Sequence, residues 1–530
     1  MGRWTLMVIV LSSTPQVALA QEDAPVIDSI IIVTHNVFDS AQAASNLLFR
    51  VANAIHFTTH PAVVRQELLF RRGERYDSAL VEETLRNLRR RGLFRDVTLD
   101  TARTGDTVNV LLQTLDGWTT ELILNANSTA DTVTWSAGLS EGNFLGTGAR
   151  VGGAYRREPN RSAVTLRAGL DRIGGTRFGF DAVYDDLSDG RVGVWSLGSP
   201  FRAFSDPYGF NFWGQARDQR VLQFRDGQLF RTYQRRVTQQ NAWYALAWRP
   251  SADGYARFGV TAQVKEEEYV LDAVAGEAIP DTVTGTVGLY AEVARARFKV
   301  VTHYDGFARD VDIDLSSRVI LSANLAPAAF GYASGGIGPR IEAQTGVSVG
   351  RSFARVGAGA NGLFNSAGLD SGQVWIAATV ASQFILRHAT VFHIEAARRR
   401  GTPPGSEYAL GHGWGPRAFG PNAFTGNAMV WAALEHRWFL VDEVMGLLGV
   451  GVAAFADYGG AWYTGGESRP GALGVPAEPR RFGGDVGLGL RLGATRSTGQ
   501  NVGRMDLAYR FGEGFEGGRW VFSFGRGFAF

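Results

Sequence analysis

The chain contains no cysteine, which removes disulfide frameworks, thiol nucleophiles and cysteine-based zinc sites together. The eight histidines form no H-E-x-x-H or other tight ligand cluster, so neither a structural nor a catalytic metal is expected. Long apolar runs are missing too: no segment reaches the ~20 residues that a membrane-spanning helix needs. A formal net charge of +2 lacks the basic excess of a nucleic-acid binder, so no nucleic-acid partner is expected. Lysine is nearly absent and arginine carries the positive charge, a bias that GC-rich codon usage explains.

What is abundant points to β-structure. Glycine supplies 67 of 530 residues, nearly twice the usual share of about 7%, and aromatics make up 12%. The length exceeds one ordinary domain, leaving several units or one large closed sheet. At the N-terminus, Arg3 precedes the apolar stretch Trp4–Leu11, and Ala18-Leu19-Ala20 stands before Gln21. This pattern predicts a secretory signal over residues 1–20. An exported chain without spanning helices is periplasmic, secreted or an outer-membrane barrel.

Residues 21–118 read as a small α/β module. Ile30–Val33 is a β-branched strand signal, and helical stretches follow around Asn46–His56 and Pro61–Arg71. The clearest helix starts at the cap Asp77, places Val81, Leu85 and Leu88 on one face, and closes at Gly92. Strands at Asp96–Asp100 and Thr107–Leu112 are joined by the turn Thr104-Gly105-Asp106.

Residues 119–530 have another character, with short alternating segments separated by Gly, Pro, Asp and Asn. In Arg504–Phe511 the set Met505, Leu507, Tyr509 and Phe511 opposes Arg504, Asp506, Ala508 and Arg510. In Val486–Leu492 the set Val486, Leu488, Leu490 and Leu492 opposes Gly487, Gly489 and Arg491. In Trp520–Phe530 the large residues Trp520, Phe522, Phe524, Phe528 and Phe530 share one face. Alternation alone also fits a soluble sandwich. Bulky apolar residues on one face, with glycine and paired charge on the other, mark a transmembrane antiparallel β-barrel. The segments number roughly sixteen to twenty, and the expected barrel has about sixteen strands with the excess assigned to hairpins in loops.

Several motif matches carry no chemistry. Gly346-Val347-Ser348-Val349-Gly350 fits a nucleophile elbow but lies in an alternating segment with no helix after it. Gly357, Gly359 and Gly362 form a G-x-G-x-x-G without a βαβ setting. Glu266-Glu267-Glu268 reads as a solvated strand end. No catalytic constellation remains, so an enzyme is not expected, and no cofactor.

The order of signal, small α/β module and C-terminal barrel resembles the BamA/TamA superfamily of outer-membrane assembly and translocation proteins. Residues His60–Leu112, with VVRQELLFRRGERYDSALVEETLRNLRRRGLFRDVTL, resemble a POTRA module, and about residues 36–58 add an extra helix to it. EGNFLGTGAR at Glu141–Arg150 is similar to the family's first-hairpin motif. LGHGWGPRAFGPNAFTGNAMVWAALEHRW at Leu410–Trp438 resembles the family's sixth extracellular loop and the strand after it. Arg417 and Phe419 match the Arg-Gly-aromatic tip, with Ala418 in place of Gly, which implies a differently shaped backbone there. Phe455-Ala456-Asp457-Tyr458-Gly459 matches the F-x-D-x-G strand motif.

By parity Phe455, Asp457 and Gly459 face the lumen, opposite Val450, Val452, Ala454 and Ala456. Glu435 and Arg437 also face inward, opposite Ala432, Leu434 and Trp438. The resemblance implies that Arg417 pairs with Asp457 and holds the loop inside the barrel, a bond that suits a bidentate guanidinium. It implies further that the aromatic C-terminal face, Trp520 to Phe530, is an assembly signal. The module would lie in the periplasm and receive unfolded outer-membrane or secreted client polypeptides, with outer-membrane lipids and accessory envelope proteins as further partners. A passive porin-like channel, and export of lipid or of a dedicated passenger, are the alternatives.

Overall fold

A computed structural model describes residues 24–527 apart from 130–131, 226, 272–280, 308, 402–404, 466–478, 499–501 and 516. The expected signal segment, and Phe528 and Phe530, lie outside the described residues.

The N-terminal module is a three-stranded sheet carrying four helices. Strands β1 (Val26–His35), β2 (Phe94–Thr104) and β3 (Thr107–Asp116) stand in the order β1-β3-β2. β1 runs parallel to the central β3, and β2 antiparallel to it. The β2–β3 hairpin turns at Gly105, whose φ of 59° is the left-handed conformation glycine adopts without strain. Helix α1 (Ser40–Ser45) and α2 (Leu47–Ile55) replace the one extra helix expected at residues 36–58. Asn46 divides them: its extended backbone ends α1, and its side chain accepts from Leu48 N at 2.9 Å to cap α2. Helix α3 (Pro61–Arg65) stops six residues short of the expected Arg71. Past Arg65 the amides of Glu67 and Leu68 take the carbonyls three residues back, and Leu69 N donates to the Thr84 hydroxyl at 3.2 Å. Helix α4 (Ser78–Arg90) is capped by Asp77 and buries Val81 and Leu88 against Val97, Val108, Val110 and Leu112.

From Thr120 onward, twenty strands among the described residues close into one antiparallel barrel. The expected count of about sixteen is too low. The hairpins assigned to loops belong to the wall, because a strand in the wall and a strand in a loop hairpin share the same period of two. Two short ribbons do stand apart from the wall: Phe298–Val301 with Val311–Asp314, and Tyr408–Leu410 with Phe424–Gly426. The first wall strand (Thr120–Thr129) and the last (Trp520–Arg526) lie side by side and close the circle. Three consecutive strands, Tyr208–Arg225, Gln228–Ser251 and Gly254–Leu271, are 18, 24 and 18 residues long and overtop their neighbours at the end far from the module.

The two faces of the wall differ as the alternation requires. Leu122, Leu289, Leu488, Leu507 and Phe522 stand exposed on the outside, forming an apolar belt around the circumference. Only a membrane covers such a belt, and closure leaves no strand edge to meet it. Among the described residues no helix is long and apolar enough to cross a membrane. The inward face is polar and charged. The G-x-S-x-G match covers the end of the strand Gly336–Val349 and the turn residue Gly350, and the glycine triplet lies on Ser352–Asn365. Glu267 corrects the solvated reading of its run: it is buried on the inner face, accepting from Arg235 Nε at 2.7 Å and the Tyr269 hydroxyl at 2.9 Å.

Candidate functional site

The lumen is occupied from both ends, and the two occupants meet on one ladder of buried charge. From the far end comes the segment 401–427, which folds back between two wall strands, His388–Arg400 and Ala428–Val444. Its base pairs Tyr408–Leu410 with Phe424–Gly426 and leans on the overtopping strands. Gln223 Nε2 donates to Glu407 Oε1 at 2.6 Å, and the Thr425 hydroxyl to Phe224 O at 2.7 Å. Counted along the barrel this is the eighth loop at its end, not the sixth, because two additional hairpins precede it in the wall. Five wall strands still follow it.

The tip of this loop is built around Arg417, which is 1% exposed. Its Nε donates to Asp457 Oδ2 at 2.6 Å and its Nη2 to Asp457 Oδ1 at 3.1 Å, a bidentate pair. Nη1 donates to Glu435 Oε2 at 2.7 Å. The guanidinium lies 3.8 Å over the Phe455 ring. Phe455 in turn lies across from Gly487 in the strand register, where a Cβ would stand 2.5 Å from its ring. Ala418 needs no left-handed backbone here, and its amide donates to Asp485 Oδ2 at 3.0 Å. Phe419, fully buried, packs on Phe424 and Phe515.

Glu435, Arg437 and Asp457 stand on the inner face with Arg417 and Phe419 against them, and further charged residues of the wall join them. Arg437 Nε donates to Glu435 Oε1 at 2.9 Å. Arg491 reaches Asp506 Oδ1 at 2.6 Å and Glu435 Oε2 at 3.3 Å, and Arg504 Nε lies 3.6 Å from Asp506. Four arginines therefore face Glu435, Asp457, Asp485 and Asp506 on neighbouring strands, all buried. Asp457 and Asp485 stand directly opposite each other in register, and like charges so placed repel. The loop answers each of them: the Arg417 guanidinium pairs with Asp457, and the Ala418 amide donates to Asp485. The alternation had shown Arg491, Arg504 and Asp506 to be inward; only the register links them to the tip.

The second occupant was not foreseen. The segment 296–316, between the wall strands Thr282–Arg295 and Ser317–Ala326, folds into the lumen from the module end. Its ribbon carries Tyr304, Phe307, Ile313 and Leu315 into a cluster with Phe353, Val391 and Phe439 from the inner wall. Phe307 lies where Gly449, Gly451 and Gly493 leave room: a Cβ at Gly449 or Gly493 would meet the ring at 2.3 Å. Those glycines are the signal that betrays a ring in the lumen. Arg437 Nη1 donates to Tyr304 O at 2.8 Å, so one side chain touches both the charge ladder and the ribbon. Toward the module, Arg89 of α4 grips Asp312 with Nε and Nη2 at 2.6 and 2.7 Å.

Further ties fasten the module to the wall. Buried Asp116 accepts from Thr59 N at 2.7 Å and from its hydroxyl at 3.0 Å. Asn143, in the EGNFLGTGAR hairpin, donates to that hydroxyl at 2.8 Å. Gly146 there sits so near the chain that a Cβ would meet Thr58 O at 2.5 Å. Glu83 of α4 accepts from Phe204 N and from the Ser205 hydroxyl at 3.0 Å. Burial raises its pKa above the usual carboxylate value, against the lowering effect of these donors. At the C-terminus, Trp520, Phe522 and Phe524 point outward into the belt, with Val521 and Ser523 inward.

No family model and no curated protein matches the chain. Among solved structures it is similar to CdiB from Escherichia coli, at 11% identity over 97% of this chain and 92% of that one, with a TM-score of 0.47. It is similar also to BamA from Haemophilus ducreyi lacking POTRA domains 1–3, at 13% identity over 95% and 85%, with a TM-score of 0.39. The FrpB iron transporter from Neisseria meningitidis aligns at 9% identity over 82% and 87%, with a TM-score of 0.40.

Proposed function

We propose that the protein assists the insertion of client polypeptides into the bacterial outer membrane, or their passage across it, with the N-terminal module as a POTRA-like receptor on the periplasmic side. The observation that carries this reading is the lumen entered from both ends, with one of the two inserted segments tethered to the module through Arg89 and Asp312. A passive channel needs an open path, and the ribbon and the loop tip both stand in the lumen that would carry it. The module offers β2, an edge strand of its sheet, on which an extended client segment can add by main-chain hydrogen bonds. The work is mechanical, using the chain's own contacts and no cofactor.

The test pairs two measurements. Depletion of the protein should lower the level of folded client barrels or secreted passengers, while the purified protein in planar bilayers should show little steady conductance. A large ungated conductance, with every outer-membrane client at its normal level, overturns the reading in favour of a channel.

A further inference from the structure

Helix α2 is apolar on two sides. Phe49 and Ala52 pack inward with Phe38 and Trp118, and the Phe38 and Phe49 rings stack at 4.1 Å. The other side presents Leu47 (68% exposed), Leu48 (70%), Val51 (49%) and Ile55 (63%). At 3.6 residues per turn these four span an arc of about 100°. Phe57, just beyond the helix, is also exposed. In water a face of this kind promotes aggregation, and on a native protein it marks a contact surface.

Its position says what covers it. The start of α2 leans on one hairpin turn of the wall, where a Cβ on Gly446 would lie 3.3 Å from the Phe49 ring. The chain after α2 is pinned to another turn, with His60 N donating to Gly146 O at 2.9 Å. Those two turns expose Met445 and Leu447, and Phe144 and Leu145. Leu448 continues the first of them into the outer belt. The apolar surface therefore runs from the wall, over the turns and onto α2. Arg50 stands exposed at the margin of that face, where a long cationic side chain reaches headgroup level.

We propose that α2 is an interfacial helix, lying in the plane of the membrane at the module-side surface with Leu47, Leu48, Val51 and Ile55 in the boundary between headgroups and acyl chains. Its occupant is lipid, because the surface it prolongs is already the lipid-facing wall. The inference rests on the barrel spanning a membrane and adds to client handling a second attachment of the module, to the bilayer as well as to the wall.

The absence of native cysteine allows single labels to be placed in the full chain. Val51→Cys and Leu48→Cys would carry an environment-sensitive dye, in vesicles of phosphatidylethanolamine and phosphatidylglycerol brominated near the headgroup end of the acyl chain. Leu488→Cys reports on the wall and Thr101→Cys, on β2, on the aqueous side. Quenching of at least twofold at Val51, Leu48 and Leu488, with none at Thr101, is the expected result. Lipid quenching at Leu488 together with quenching of Val51 and Leu48 only by a water-soluble agent overturns the inference and leaves the barrel reading intact. Protection of Val51 and Leu48 from both quenchers also overturns it, since a second copy or another protein then covers α2. Failure at Leu488 itself removes the membrane-spanning barrel, and the helix inference with it.

Discussion

The segment 401–427 and the ribbon 296–316 enter one lumen from opposite ends and are held by opposite chemistries. The loop tip is fixed by a buried guanidinium among carboxylates that repel each other without it. The ribbon is fixed by aromatic rings laid on glycines. A charged closure is nearly all-or-none, since removing one partner leaves an uncompensated buried charge. An apolar closure is graded, losing free energy in proportion to the surface and volume removed. The two also differ in what they touch: the loop leans on the tall strands at the far end, and the ribbon on the module.

The largest effect should come from removing the wall on which both closures depend. Deleting residues 520–530 takes away the closing strand together with its outward aromatic face, and assembly should fail. Heat-modifiable, membrane-integrated protein at normal levels would contradict this. Next, Arg417→Ala should cost about 3–5 kcal/mol, because Arg417 and its partners Asp457 and Glu435 are all buried. Protease access to the loop should rise in Arg417→Ala and in Asp457→Ala, and the double variant should be little worse than either. Additive losses would dissolve the pair.

Phe307→Ala sharpens the contrast. A void over Gly449, Gly451 and Gly493 should cost about 3 kcal/mol and raise bilayer conductance while leaving protease access to the loop at 401–427 unchanged. If the loop also loosens, the two closures act as one. Arg89→Ala removes a partly exposed pair and should cost about 0.5–1 kcal/mol, seen as faster hydrogen exchange confined to residues 296–316 and α4. The smallest effect concerns pH. The Glu83 pKa is higher when α4 is docked, so docking gains protons and strengthens as pH falls through the window between the ordinary and the raised value. Glu83→Gln should flatten that dependence in exchange measurements on α4; an unchanged slope would assign it to another group.

Legibility in the sequence followed the same division. The loop tip was readable because Arg417, Phe419 and Asp457 sit in recognisable motifs, and because period-two parity told inward Glu435 and Arg437 from outward Leu434 and Trp438. The ribbon was not readable: Val301–Leu315 mixes Tyr304, Phe307, Asp305 and Asp310 without alternation, so it reads as surface loop. Strand number was hidden for another reason. Alternation tells which way a side chain points in a strand, and says nothing about whether that strand belongs to the wall. Asn46 shows a third limit, since one extended residue split the single helix expected at about residues 36–58 into α1 and α2.

The twenty-strand circumference has a consequence for the hole it encloses. Barrel diameter grows roughly linearly with strand number, so cross-section grows as its square, and twenty strands enclose about 1.6 times the area of sixteen. One inserted loop that fills a narrower bore would leave a crescent of open water here. The ribbon lies where that crescent would be, under the inner faces of strands from Gly336 to Val502. Widening the pipe and acquiring a second stopper are, on this view, two halves of one change, and any relative with fewer wall strands should lack the stopper.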